Sequence, residues 1–405
     1  MIRSSPIQAV LLTTVAFGAL CASGGIAHAQ FKQTNLASDI SGLATSTDPN
    51  LVNTWGVSAM PGASPFWISN QGTGTSSLFT VTGSTGVAAA NGFPALPPAP
   101  DTSFVAIPPG PGLGVGPTGQ VANIPKTSFN IGATGPALFI FANLNGSISA
   151  WNGSNKNPAT QNAATVVAPP SSDVYTGLTM NTAGNLLYAA NGAGTGSIDV
   201  YNGSFAETTV PGGFVDPTLS AGFVPFNVED IGGKVYVAYA PAGRPAEISA
   251  TAGMGAVAVF DESGHFLQQL VSPGPGGELA SPWGMAIAPA GFGPFGGDLL
   301  VGNFSFVDSE INAFDATTGK FEGAIPVNAG ARNTPGGLWD LMFGSGGPTG
   351  DPMTLYFTDG IDGETHGLFA AIAVPEPSTW VMILVGFGGL ALFAARRRRA
   401  SLAIG

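Results

Sequence analysis

The chain has one cysteine, Cys21, and it falls in an apolar N-terminal stretch, so the remainder has no disulfide and no thiol chemistry. Charge is nearly as scarce. Only 9% of residues are Asp, Glu, Lys or Arg, against roughly 25% in ordinary soluble domains. Bases are the rarer sign: residues 31–373 carry 23 acids and 7 bases, a net charge of −16. With no basic stripe to meet phosphates, nucleic acid is excluded as a partner. Beyond the N-terminal stretch the histidines are His265 and His366 alone, too few for a multi-histidine metal centre. No nucleophile elbow, HExxH, P-loop or dinucleotide fingerprint occurs. What replaces these is turn chemistry. Sixty glycines and 33 prolines cut the chain into apolar runs of five or six residues, which argues strands and against a long-helix protein.

Residues 281–325 are the clearest instance, with WGMAIA, DLLVGN, INAFD and KFEGAI in succession, each bounded by turn residues. Four short antiparallel strands make a sheet that cannot bury both faces alone, and copies of it are present. The third run recurs as ISAWN, IDVYN, VAVFD and INAFD, starting at Ile148, Ile198, Val257 and Ile311. The first recurs as TWGVSA, TGQVAN, TGLTMN, FNVEDI, WGMAIA and LWDLMF. Trp55 and Trp339 bracket five intervals over 284 residues. Six starts of a four-stranded unit predict an all-β fold, a six-bladed β-propeller over residues 30–373. The sixth blade supplies only LWDLMF, TLYFTD and GLFAAIA. Its missing outer strand is expected to be FKQTNL at the N-terminus, closing the ring as a clasp.

The two ends read differently. Residues 1–29 have the form of a secretory signal peptide: Arg3, an apolar core, then Ala27-His28-Ala29. Residues 374–405 open with VPEPSTW, continue through an apolar span to Ala395, and reach Arg396, Arg397, Arg398 and Arg399 just before the end. The span is short for a standard membrane helix, and the arginines hold its end in the cytoplasm with the body outside. Pro375-Glu376-Pro377, a short apolar span and an arginine cluster resemble a PEP-CTERM sorting tail. That resemblance implies an inner-membrane-tethered precursor, an exosortase-type protease as partner, and transfer to the cell surface or extracellular matrix of a polysaccharide-producing Gram-negative cell. The body, through DPNLVNTWG, FWISNQGTGTSSLF, PFNVEDIGGKVYVAYA, WGMAIAPAGFG and ETHGLFAAI, resembles an uncharacterised family of exported propellers that often carry this tail. No known activity comes with it.

In a propeller, first-strand starts and second-strand ends share one rim of the central channel. Second strands end at Asn70, Asn143, Asn191, Asn303 and Asp359, and first strands start around Asn53, Trp55, Asn227, Trp283, Trp339 and Asp340. Trp55, Asn70, Asn143, Asn191, Trp283, Asn303 and Trp339 can form a ligand rim of aromatic faces and amides for extracellular polysaccharide or an envelope protein. The same residues also suit Asx-turns and channel-side packing. A denser spot is DGIDGETHG, where Asp359, Asp362, Glu364 and His366 offer oxygen ligands to Ca²⁺ or a His–carboxylate set to a transition metal. The spacing does not match an EF-hand, and short acidic-glycine runs are common in turns, so a solvated acidic loop is the simpler account. The expected function is a non-catalytic, exported binding propeller with no catalytic residues. The alternative is a metal-dependent hydrolase or lactonase with its site in the channel, an analogy of fold alone.

Overall fold

A computed structural model describes residues 31–83, 86–89, 104–112, 114–153, 156–157, 160–169, 172–328 and 337–375. The segment expected to be a signal peptide, residues 1–29, the detour around residues 90–103 and the tail residues Glu376, Pro377 and Arg396 to Arg399 lie outside the described residues. Among the described residues, six blade sheets built on antiparallel strands follow one another along the chain, with a separate two-stranded hairpin of Lys156–Asn157 and Thr160–Gln161. Their inner strands are Thr54–Ser58, Pro117–Ala122, Tyr175–Met180, Phe223–Ile231, Pro282–Ile287 and Leu338–Phe343. Each inner strand touches the next, and the sixth touches the first, so the ring closes. The N-terminal strand Lys32–Ser38 runs antiparallel to Leu368–Ala373 in the sixth sheet.

Strand patterning explains the packing. Side chains alternate faces along a strand, and each blade is covered on both faces by its neighbours. In Lys234–Pro241, Val235, Val237 and Tyr239 pack toward blade three, while Tyr236 and Ala238 pack toward blade five. Among the described residues, one apolar cluster fills each of the six seams between blades. A seventh lies on the axis: Trp55, Phe226, Ala240, Trp283, Phe304 and Trp339. Burial falls outward, from the wholly buried inner strand Thr54–Ser58 to the largely open outer strand Phe321–Pro326.

Every inner strand carries a register shift near its third residue, between Thr54 and Val57 in blade one and at matching places in the other five. Such bulges turn the strand and re-aim side chains. At this step four blades have glycine: Gly56, Gly119, Gly177 and Gly284. A Cβ on Gly56 would lie 2.7 Å from the Thr118 carbonyl oxygen, and one on Gly284 would lie 2.3 Å from that of Trp339. Neighbouring backbones therefore pass at glycine distance around the axis. Blades four and six have Asn227 and Asp340 there instead, and both reach across a seam. The Asn227 amide donates to the Trp283 carbonyl at 2.9 Å, and Asp340 Oδ2 accepts from the Val57 N–H at 2.6 Å.

Candidate functional site: the two mouths of the channel

The aromatic cluster plugs the channel. Trp339 is fully buried, stacked on Trp55 and on Phe304, and Trp283 meets both tryptophans edge-on. The plug leaves two separate mouths. The tryptophans are thus mainly the floor of the upper mouth, with Trp55 reaching its lining.

The upper mouth is a cavity of about 960 Å³. Its walls combine Val52, Leu144 and Val174 with glycine backbone at Gly72, Gly112 and Gly192. Arg244 and Glu247 enter from a short helix, Arg244–Ile248, in the long insertion of blade four. Arg244 lies over the Phe304 ring at 4.6 Å, pairs with Glu247 at 3.5 Å, and is in close contact with Glu364. Burial pushes both glutamates' carboxyls up, and the guanidinium pulls them back. A buried amide relay braces the opposite wall. Trp55 Nε1 donates to Asn53 Oδ1 at 3.1 Å, Asn53 Nδ2 donates to Gln71 Oε1 at 3.0 Å, and Gln71 Nε2 donates to the Gly112 carbonyl at 3.1 Å.

The strand-end asparagines are committed elsewhere. Asn70, Asn143 and Asn303 are fully buried and Asn191 nearly so. Asn70 donates to Thr75 and Ser77, Asn143 to Ser147 and Ser149, and Asn191 to Asp199. Asn303 accepts from the Ala280 N–H and donates to the Glu278 carbonyl. They close loops and hairpins while other residues form the cavity wall.

The acidic segment does not converge either. Asp359 is buried beneath the turn, with its Oδ1 unpartnered and its carboxyl held well above the usual range by burial and then by Glu364's charge. Asp362 and Glu364 occupy left-handed backbone at φ 56° and 66°. Glu364 turns to Arg244, whereas His366 Nδ1 meets Asp39 Oδ2 at 2.6 Å. Among the described residues, no three His, Cys, Asp or Glu side chains gather as metal ligands. The DGIDGETHG set is spread over a buried site, a turn and an ion pair.

The lower mouth gathers Glu229 and Asp230, which the sequence did not single out, with Asp340, which was expected on the opposite rim among the first-strand starts. It is a cavity of about 470 Å³ to which all six blades contribute, among them Glu229, Asp230 and Asp340. Burial pushes the Asp340 carboxyl up to about 7. Glu229 keeps some surface open to the cavity but sits deep in the ring, and burial, followed by Asp340's charge, holds its carboxyl well above the ordinary range. The available signal was the aligned step WG, TG, TG, FN, WG, WD, in which two of six copies replace glycine with a polar side chain.

Residues 373–399 match the PEP-CTERM protein-sorting motif. The chain is 26% identical over 345 residues to an uncharacterized protein of Acanthamoeba polyphaga mimivirus, covering 83% of this chain and 78% of that one. A structural-genomics protein of unknown function from Bacteroides thetaiotaomicron aligns at 10% identity and TM-score 0.49, over 85% of this chain and 77% of that chain. A gluconolactonase from Xanthomonas campestris aligns at 13% identity and TM-score 0.32, over 64% and 86%.

Proposed function

We infer that this all-β, six-bladed propeller, whose C-terminus bears a PEP-CTERM sorting motif, is exported, sorted at the membrane and processed by an exosortase-type system. We propose that it acts as a non-catalytic binding protein at the cell envelope or matrix, and that its upper mouth takes a stretch of uncharged extracellular polysaccharide. The observation that carries this reading is the balance of the upper cavity. It is roomy, walled by aliphatic side chains and glycine backbone, and Arg244, the one basic group among the described residues that line it, is already engaged by two glutamates. A sugar chain presents C–H faces to the former and hydroxyls to backbone groups, while a phosphate or a cationic peptide would have to break an existing ion pair. Both described histidines are paired with aspartates, His265 with Asp261 and His366 with Asp39, so neither is set beside a nucleophile.

The test is calorimetry and co-sedimentation of the full-length protein in detergent with purified exopolysaccharide from the producing cell. Saturable binding without shortened products is expected, and it should weaken about tenfold or more in Val174→Asp, which buries a carboxylate against the bound chain. Absence of binding sinks the reading in favour of an envelope protein partner. Release of new reducing ends or opened lactone sinks it in favour of a hydrolase.

A further inference from the structure

The lower mouth is a built site for which nothing else in the molecule accounts. Glu229 lies two residues beyond Asn227 in the same strand, so the two side chains share the channel-facing side. Asp340 projects from blade six, and its charge acts on Glu229. Among the described residues lining this cavity there is no Lys, Arg or His. Asp230 stands at the lip, where its Oδ1 accepts from the Gly233 N–H.

The second observation concerns amides. Gln120 is 6% exposed, and its Nε2 donates to the carbonyls of Gly56 at 2.6 Å and Trp67 at 2.7 Å. Those two acceptors fix which end of the amide is nitrogen. Gln120 Oε1 is left buried with no donor. Asn227 repeats the arrangement: Nδ2 is taken by the Trp283 carbonyl and Oδ1 has no partner. The Ser58 hydroxyl, 7% exposed in the same lining, is likewise unpartnered. An unsatisfied buried polar atom is costly, and those of Gln120 and Ser58 belong to the lining that Glu229 and Asp340 share.

We propose that the lower mouth binds one hard divalent cation of the Ca²⁺ class, with Glu229 and Asp340 as its anionic ligands and the oxygens of Gln120 and Ser58 completing the set. Donors drawn from several blades suit the flexible oxygen coordination of Ca²⁺ better than the strict octahedron of Mg²⁺. Without nitrogen or sulfur the set does not suit Zn²⁺ or Cu²⁺. The ion would tie blades one, two, four and six together at the axis. This site lies on the far side of the aromatic plug from the upper cavity and does not depend on what that cavity binds.

The experiment is calorimetric titration of CaCl₂ and MgCl₂ into the full-length protein, purified in detergent and stripped with chelator. One Ca²⁺ per chain, weaker Mg²⁺ binding and a melting temperature that climbs with free Ca²⁺ are expected. Glu229→Gln, which removes a charge without touching a backbone bond, should weaken Ca²⁺ by about tenfold or more. Ser58→Ala should weaken it by a smaller factor and serves should Glu229→Gln fail to fold. Wild-type protein that gives no heat and identical melts with millimolar Ca²⁺ or chelator overturns the proposal, leaving ordered water as the occupant. Binding retained in Glu229→Gln and Ser58→Ala but lost in Asp362→Asn overturns it too, by moving the ion to the upper turn.

Discussion

Asp359 occupies the position that is Asn70, Asn143, Asn191 and Asn303 in four other blades, and the exchange of amide for acid has an energetic consequence. The asparagines donate through their amide nitrogens or accept in loop and hairpin bonds, and Asn70 and Asn143 also leave Oδ1 buried without a donor, whereas Asp359 buries an ionisable Oδ1 beside Glu364. A carboxyl raised by burial holds its proton in the fold at a pH where the unfolded chain has released it. Over that window the native state binds more protons, so stability falls as pH rises from the ordinary Asp value toward the raised one. Asp359→Asn removes this dependence and keeps the backbone carbonyl that accepts from Thr54 Oγ1 at 3.0 Å. Denaturant titrations should find the variant more stable than wild type by about 1–3 kcal/mol at pH 8, where the raised carboxyl costs stability by linkage, and nearly equal to it at pH 4. Equal destabilisation at both pH values would mean that Asp359 makes a bond essential to the turn.

At the scale of elements, the N-terminal strand and the inner-strand bulges matter most. Leu36 and Ala37 are fully buried in the seam between blades six and one, and Ser38 Oγ donates to the Gly367 carbonyl at 2.7 Å. Deleting residues 32–38 removes that burial, about 1.5–3 kcal/mol for the leucine alone, and bares the backbone edge of Leu368–Ala373. The truncated protein should melt several degrees lower and form aggregates by light scattering. An unchanged, monodisperse melt would show that this strand contributes nothing to the ring. The strands and their sixfold repeat were legible in the sequence because blades covered on both faces need unbroken apolar runs, and turns need Gly, Asn and Pro. The functional surfaces were far less legible. Arg244 reaches the upper mouth only because a helix forms inside an insertion without periodicity, and Glu229 meets Asp340 only through the ring, 111 residues apart in sequence. Conversely, Asp359, Asp362, Glu364 and His366 are neighbours in sequence, yet a left-handed turn sends them to different partners.

For the whole molecule, the closed ring and the sorting tail must be compatible. The last strand ends at Ala373, where it pairs with both Lys32 and Thr354, and Pro375 follows as an exposed residue. The sorting motif, residues 373–399, therefore begins where the hydrogen-bonded ring stops. Most of the propeller's strand ladders precede that point, so cutting beyond it removes no strand from the ring. Processing should then leave the melting temperature of the propeller unchanged, in contrast to deletion at the N-terminal end. Replacing Pro375, Glu376 and Pro377 with alanine alters the motif without altering a strand. The variant should still be exported and folded, because the ring is intact, but it should accumulate at full length in the membrane fraction of the host cell. Immunoblots of membrane and extracellular fractions report both features by size and location. Cleavage of the variant at the wild-type rate would reduce the segment to a plain anchor, with release governed by something other than the Pro-Glu-Pro motif.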